Sequence, residues 1–186
     1  SAYLSELYMR EIDNEIKYIE VHFGEENYQH LTGIELLDDE GNVREHVSEL
    51  FFHKCLNNAL KKNEIQFKKD GTTNLKLAAL HVIMQIHKVT KIAGNYNGIR
   101  PYLVVDKVIG NVNFCLGLKI DLGRGCYVPC SSLLDDIKRL TDIQSQVLAI
   151  FSKVDTDDVY QDIRHVAKGL NLNNIKFPEE ISRKIS

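Results

Sequence analysis

The sequence has no long hydrophobic segment and no strong excess of positive charge. No window approaches the roughly 18 consecutive apolar residues that a membrane-spanning helix needs, and the first residues lack the basic-then-apolar pattern of a secretion signal. The formal net charge of the 186 residues is −3, which is unlike a protein that coats nucleic acid. We therefore expect a cytoplasmic protein with no membrane partner.

Several signatures of cofactor and metal enzymes are also absent. The sequence contains no Walker loop, no GxGxxG after a strand, no HExxH and no GxSxG. His81 and His87 are six positions apart on a predicted helix and point in different directions, and Cys126 and Cys130 lack a second pair of ligands. We therefore expect neither a cofactor nor a metal.

The chain has only 4 cysteines, and their spacing is irregular. Without a secretion signal, this usage predicts reduced thiols. One pairing stays open: a hairpin centred between Leu122 and Gly123 would place Cys115 opposite Cys130. A half-residue shift of that centre would remove the pairing.

The middle of the chain is rich in β-branched and aromatic residues. Residues 102–108, 111–121 and 126–129 form three such runs, and the breaks between them are too short for a parallel crossover. Residues 144–154 form a fourth run that is apolar enough for the interior of a sheet. These runs predict a four-stranded antiparallel sheet.

The second run alternates between two kinds of side chain, which indicates one buried and one open face. The apolar positions are Val112, Phe114, Leu116, Leu118 and Ile120, and the other positions are Asn113, Cys115, Gly117, Lys119 and Asp121.

Helical spacing dominates the chain before and after these runs. Helices are predicted at residues 3–14, 43–62, 74–93 with Gly94 as the C-terminal cap, 131–140 and 157–169, and a strand or extended arm at residues 15–23. The predicted fold is a single α+β domain of 186 residues, in which N-terminal helices pack on the four-stranded antiparallel sheet and a helix follows it. The sheet core would span about residues 99–154, with residues 1–27 and 170–186 peripheral.

Three residues are candidates for charge and proton chemistry. His30 lies in a predicted loop, where it can approach a substrate and titrate near neutral pH, or can simply be solvated. Lys119 lies on the predicted open face, where a cation can stabilise a developing phosphorane or can equally be a solvated strand residue. Arg100 can clamp a phosphate bidentately, or can anchor carbonyl groups at a helix–sheet junction.

Candidates for substrate binding lie close to these residues in the sequence. Thr32 adjoins the predicted loop, and Tyr102 follows the predicted phosphate clamp. Tyr127, Ser131 and Ser132 fall at a predicted strand-to-helix turn, whose backbone amides form a natural anion site. Ordinary helix capping explains the two serines equally well.

A series of short segments resembles a known nuclease group. The segments are YQHLTGI (28–34), RPYL (100–103), GN (110–111), CLGLK (115–119) and YVP (127–129), followed by LL (133–134) and DI (136–137). In this order they resemble the phage-associated branch of the barnase–EndoU–colicin–RelE nuclease superfamily, over roughly residues 28–153. The resemblance implies helices on a four-stranded antiparallel sheet whose open face cleaves RNA without metal, in proteins of phages and other mobile elements. The segment Cys130–Ser131–Ser132 departs from the family pattern, which has a polar residue and Ser or Thr there.

The leading hypothesis is a toxin-like, metal-independent endoribonuclease that cleaves RNA by transphosphorylation, with tRNA among its candidate substrates. In it, His30 is the base or acid, Lys119 and Arg100 stabilise phosphate charge, and Tyr127 or Thr32 positions the substrate.

Two other classes remain. A catalytically inactive binding module of the same fold would recognise a phage or host protein, and the mild acidity and the departure after Pro129 favour it. A small-molecule hydrolase with Cys126 or Cys130 as nucleophile lacks a histidine placed by sequence to activate the thiol.

Overall fold

The computed structural model describes residues 4–99 and 103–186. Within these residues the strands are β1 (Leu4–Ile12), β2 (Glu15–Phe23), β3 (Ile34–Leu36), β4 (Ile65–Phe67), β5 (Ile92–Tyr96), β6 (Lys107–Gly110), β7 (Cys115–Asp121), β8 (Cys126–Leu133), β9 (Thr141–Val154) and β10 (Asp162–Val166). The helices are α1 (Glu25–Thr32), α2 (Ser48–Leu56), α3 (Thr73–Ile83), α4 (Ile86–Val89), α5 (Ile137–Leu140) and α6 (Glu179–Ser182). Short 3₁₀ turns occur at Lys62–Glu64 and Leu172–Asn174.

Seven strands of the described chain close into a barrel. The order around the barrel is β1-β2-β8-β7-β6-β5-β9, and β9 pairs back with β1, while β10 adds an extra strand to β9. The neighbouring strands are antiparallel except β2 and β8, which meet in a parallel bridge between Val21 and Tyr127. The predicted α+β fold, with N-terminal helices on a four-stranded antiparallel sheet, is therefore wrong.

Strand β1 explains much of this difference, because a helix was predicted over residues 3–14. Tyr8 points into the barrel, while Leu7 and Met9 point outwards and pack against Tyr160 and Ile181. Both faces of the strand are buried, so apolar residues occupy consecutive positions and the alternation typical of a half-exposed strand is lost. Such a run is also compatible with helical spacing.

The segment after α3 also differs from the predicted single helix over residues 74–93. The helix ends at Ile83, and Gly94 lies within β5 instead of capping a helix. A Cβ atom on Gly94 would approach Cβ of Thr141 to 2.7 Å, so glycine allows the two strands to pack closely. The helix predicted over residues 157–169 is likewise replaced, in part by strand β10.

Three of the four strands predicted in the second half of the chain correspond to β7, β8 and β9. Of the run predicted at residues 102–108, only Lys107 and Val108 lie in a strand, β6. These strands close the barrel together with β1 and β2. β1 was predicted as a helix, and β2 was predicted as a strand or extended arm at the periphery. Within residues 111–121, Phe114, Leu116 and Leu118 belong to the main core as predicted. Val112 is instead 48% exposed, and Cys115, predicted on the open face, is buried in a second cluster.

Helices cover one end of the barrel. Leu31 of α1, Ala79 and Ile83 of α3, and Ile86 of α4 join the core that fills the barrel interior. We call this the helix end, and the other end the basic end, for the residues described below. No helix within residues 4–99 and 103–186 is long and apolar enough to cross a membrane.

Candidate active site

Arg10 is a buried cation near the end of β1. It follows Tyr8 on the inner face, and only 6% of its surface is exposed. Its Nη1 atom donates a hydrogen bond to Ser145 Oγ at 3.5 Å, and its Nε atom is buried without a partner among the described residues. No carboxylate of the described chain forms an ion pair with it. Burial lowers the pKa of Arg10, because an unpaired charge in the interior is costly.

Lys107 is a second cation on the same inner surface, at the start of β6. Its Nζ atom donates a hydrogen bond to Asn95 Oδ1 at 2.7 Å and lies 5.7 Å from the centre of the Tyr127 ring. Burial lowers the pKa of Lys107, the positive charge of Arg10 lowers it further, and Asp106 acts in the opposite direction. Lys107 and Arg10 therefore form a region of positive potential inside the barrel.

Tyr127 of β8 completes this group. Burial and the negative charge of Asp106 raise the pKa of Tyr127, while Arg10 opposes the increase. The hydroxyl therefore keeps its proton at neutral pH and can donate a hydrogen bond. Asp106 is exposed, and its Oδ2 atom accepts a hydrogen bond from Ile120 N at 2.7 Å. We call Arg10, Lys107 and Tyr127, with Asp106 beside them, the inner basic site.

His30 and Lys119 lie on the outside of the barrel. His30 belongs to α1 instead of a loop, and its backbone oxygen accepts a hydrogen bond from Lys76 Nζ at 3.3 Å. Burial lowers the pKa of His30, and Lys68 and Lys76 lower it further. Lys119 is exposed on β7, and both Lys119 and Lys76 act electrostatically on the Cys130 thiol. We call His30, Lys76 and Lys119 the outer strip.

The structure therefore separates the residues proposed for one site. Lys119 is on the outer face of β7, whereas Tyr127 of the paired strand β8 points inwards. Ser131 lies opposite Gly117 on the outer face and is half-buried. Arg100 and Tyr102 lie outside the described residues.

Thr32 and Ser132 take part in the packing of α1. Thr32 is 2% exposed, donates to the Gln29 oxygen at 2.8 Å and accepts from Ile34 N at 3.1 Å. Ser132 is 6% exposed, and its hydroxyl donates to the Leu31 oxygen at 3.5 Å. The Ser132 hydroxyl therefore links β8 of the barrel to α1, and the Thr32 hydroxyl links the end of α1 to the start of β3.

Sequence reasoning missed Arg10 and Lys107. Arg10 fell within the predicted N-terminal helix, and Lys107 within a run read for its apolar residues. The available signal was the position of Arg10 two residues after Tyr8, where a strand would place both side chains on one buried face.

The remaining candidates from the sequence are the cysteines and the possible metal ligands. Each of the 4 cysteines, all within the described residues, carries a free thiol. The hairpin is centred between Gly123 and Arg124, and the register shifts by one further residue between Leu118 and Gly117. Cys115 is therefore opposite Leu133, and its pairing with Cys130 is not formed. No cluster of three or more His, Cys, Asp or Glu side chains that could hold a metal occurs within residues 4–99 and 103–186.

One comparison with known proteins gave a match. Residues 6–169 match the family model described as phage-Barnase-EndoU-ColicinE5/D-RelE like nuclease4. No curated protein and no solved structure matched the chain.

Proposed function

The chain belongs to the phage-Barnase-EndoU-ColicinE5/D-RelE like nuclease4 family, and we propose that it is an endoribonuclease whose reaction takes place at the inner basic site. The observation that supports this proposal most directly is the burial of Arg10 without a negatively charged partner in the described part of the chain. Arg10 as a residue is only 6% exposed, one of its nitrogens has no partner among the described residues, and its neighbour Lys107 is also a cation. A phosphodiester would supply the missing anion.

In this proposal the two cations bind the scissile phosphate and stabilise the charge that grows on it. Arg10 is buried and held by Ser145, and Lys107 is held by Asn95, so neither group has to reorganise during the reaction. Preorganised donors of this kind stabilise a transition state better than mobile ones, because the folded protein already holds them in the right orientation and no reorganisation is needed during the reaction.

The proton transfers are assigned to Asp106 and Tyr127. The Asp106 carboxylate takes the proton of the 2′-hydroxyl, and the resulting oxygen attacks the adjacent phosphorus. The bond from phosphorus to the 5′-oxygen breaks, and that oxygen takes the proton of Tyr127, whose raised pKa keeps the hydroxyl protonated. The products are a 2′,3′-cyclic phosphate and a free 5′-hydroxyl, and side-chain cations supply the positive charge that metal ions supply elsewhere.

We assign the outer strip to RNA binding. Lys119 and His30 are exposed, and Lys76 lies next to His30, so these groups can attract the phosphate backbone. We further propose a toxin-like hydrolase of phage or mobile-element origin, which acts on cytoplasmic RNA such as tRNA. Reduced thiols agree with this location.

The test is cleavage of tRNA and mixed cellular RNA by the purified protein. Arg10→Met, Lys107→Ala and Tyr127→Phe should each lower the rate by about 10²–10³-fold, while Lys62→Ala, at an exposed position, should not. RNA with a 2′-deoxy sugar at the cleavage position should give no product, and EDTA should not change the rate. Cleavage that EDTA abolishes, or that the three variants retain, would refute the mechanism.

A binding module of the same family is the second candidate function. The burial of Thr32 and Ser132 favours it, because two of the predicted substrate contacts are used by the fold itself. The net charge of −3 also favours a protein partner over RNA. If the wild-type protein and the Arg10→Met/Lys107→Ala double variant gave the same background cleavage on every RNA, the binding module would replace the nuclease.

A further inference from the structure

A pocket of about 220 Å³ lies at the helix end of the barrel, between α1, α2, α3 and the first residues of β1. Its walls are mostly apolar, and two of its aromatic rings, Tyr28 and Phe52, meet edge to face with their centres 5.5 Å apart. This volume suits a group about the size of one amino-acid side chain. Apolar walls alone would favour any hydrophobic group, so the polar atoms of the pocket decide its chemistry.

Glu25 is the polar residue of this pocket with an unused acceptor. It is the first residue of α1, and its side chain is 8% exposed. Its Oε2 atom is 2.9 Å from His53 Nε2, whereas its Oε1 atom is buried without a partner among the described residues. A buried carboxylate oxygen without a donor is costly, and a ligand that donates a hydrogen bond would remove that cost.

Glu6 adds a second carboxylate to the same wall. It is 1% exposed, its Oε1 atom is 3.2 Å from His87 Nδ1, and its Oε2 atom accepts a hydrogen bond from the Tyr8 hydroxyl. Both oxygens of Glu6 are therefore already in use. Glu25 therefore contributes the free acceptor of the pocket.

We propose that this pocket binds an organic cation, meaning an ammonium or guanidinium group attached to an apolar body. The cation donates a hydrogen bond to Glu25 Oε1, and its apolar body packs against Tyr28 and Phe52. Aromatic faces attract cations as well as apolar groups, so the two parts of the ligand reinforce each other. A carboxylate or a neutral apolar group has no hydrogen to donate and would leave Oε1 unpaired.

This site is distinct from the inner basic site. Glu6 and Arg10 lie on the same face of β1, four positions apart, which corresponds to about 13 Å along a strand. Core residues of the barrel, including Tyr8 and Ile19, fill the space between the helix end and the basic end. Ligand binding in the pocket and RNA cleavage are therefore separate measurements, and the failure of one does not imply the failure of the other.

A matched pair of probes tests the proposal on the unmodified protein. Benzylamine and benzyl alcohol have nearly the same shape, but only benzylamine is a cation at pH 7.5. Calorimetric titration should give benzylamine at least about 10-fold higher affinity, since the charged donor reaches a buried carboxylate. Equal affinities, or no binding of benzylamine at millimolar concentration, would overturn the proposal.

A pair of variants then locates the binding. Glu25→Gln should lower benzylamine affinity by about 10-fold or more and leave benzyl alcohol unaffected. Glu26→Gln is the control, because Glu26 is next in α1 but pairs with Arg124 at 2.8 Å on the surface. Unchanged benzylamine affinity in a folded Glu25→Gln protein would refute the site, and thermal melting checks the fold of both variants.

The same titration distinguishes two sources of the cation. N-acetyl-lysine amide and N-acetyl-arginine amide represent a side chain of a protein, and benzylamine and agmatine represent small free amines. Higher affinity for the blocked amino acids would identify a protein side chain as the ligand, and higher affinity for the free amines a small molecule. Binding of none of the four would overturn the proposal.

Discussion

Arg10 and Lys107 lie on strands that are far apart around the barrel, yet the charge of Arg10 contributes, after burial, to the lowered pKa of Lys107. β1 pairs with β2 and β9, and β6 pairs with β5 and β7, so the two cations face each other across the interior. Like charges in a poorly solvated space repel each other and destabilise the fold. The arrangement is stabilised when an anion lies between them.

Replacement of Arg10 by methionine should therefore stabilise the folded protein while it removes phosphate binding. Methionine fills a similar volume without a buried, unpaired charge, and the free energy of unfolding should rise by about 1–4 kcal/mol. Urea unfolding measures the change, with the exposed Arg44→Met as the control, which should stay within about 0.5 kcal/mol of wild type. A clear loss of stability in Arg10→Met would show that Arg10 has a structural role instead.

The pH dependence of cleavage should depend on Lys107. The proposal requires its cationic form, and burial and Arg10 lower its pKa from the ordinary 10.5. The proton is therefore lost at lower pH than in a free lysine, and activity should decline on the alkaline side before pH 10.5 is reached. Lys107→Arg keeps its charge and should move this decline to higher pH in a profile of kcat/KM. Identical profiles for both proteins would exclude Lys107 as the titrating group.

Variants of the outer strip should have a different kinetic effect from variants of the inner basic site. Lys119→Ala should raise KM by a few-fold with little change in kcat, because an exposed lysine contributes screened attraction to RNA. The difference from wild type should shrink as salt is raised from about 50 to 200 mM. A large loss of kcat in Lys119→Ala or His30→Ala would instead show that the outer strip takes part in the reaction itself.

Gly110 should not tolerate a side chain. Its φ angle is +151°, and a Cβ atom there would collide with the Phe114 carbonyl oxygen and lie 2.9 Å from Cys115 Cα. Gly110→Ala should lower the free energy of unfolding by at least about 1–3 kcal/mol. Gly123→Ala is the control, because the nearest atom to a Cβ there is a flexible side-chain oxygen, Asp121 Oδ1, at 3.3 Å. Equal stability of the two variants would contradict this packing.

Thiol reactivity should identify Cys115 as the slowest cysteine. Burial, with Asp135 and Asp136, raises the pKa of Cys115 to about 12, so its reactive thiolate is scarce at pH 8. In the folded protein, a thiol reagent should modify it last, and Cys115→Ala should remove this slow phase. Unfolded, unreduced protein should titrate 4 thiols, and a count of two would indicate a disulfide instead.

The sequence predicted the strands best where large apolar residues recur at every second position. In β7, Leu116 and Leu118 alternate with Gly117 and the exposed Lys119, so the period of two is visible. β1 could not be assigned in this way, because Leu7 and Met9 are buried outside the barrel while Tyr8 is buried inside. The layer that covers its outer face comes from residues 160–185, and local periodicity contains no information about such distant contacts.

The inner basic site was beyond sequence reasoning for the same reason. Only Tyr127 of this site was identified, and its partner Arg10 is more than 100 positions away in the chain. Lys107 and Arg10 have ordinary sequence surroundings, and their proximity follows from closure of the barrel. A site that is assembled across an interior can be predicted only after the strand order is known.

The pairing of β1 with β9 has a consequence for the synthesis of this protein. Leu4 pairs with Val154 and Arg10 with Val147, so β1 gains its second neighbouring strand only when the chain has been synthesised as far as β9. Residues 1–140 contain every residue of the inner basic site but not β9, the second neighbour of β1. β1 therefore reaches its place in the barrel, and Arg10 its place in the inner basic site, only after residues 141–154 have been made.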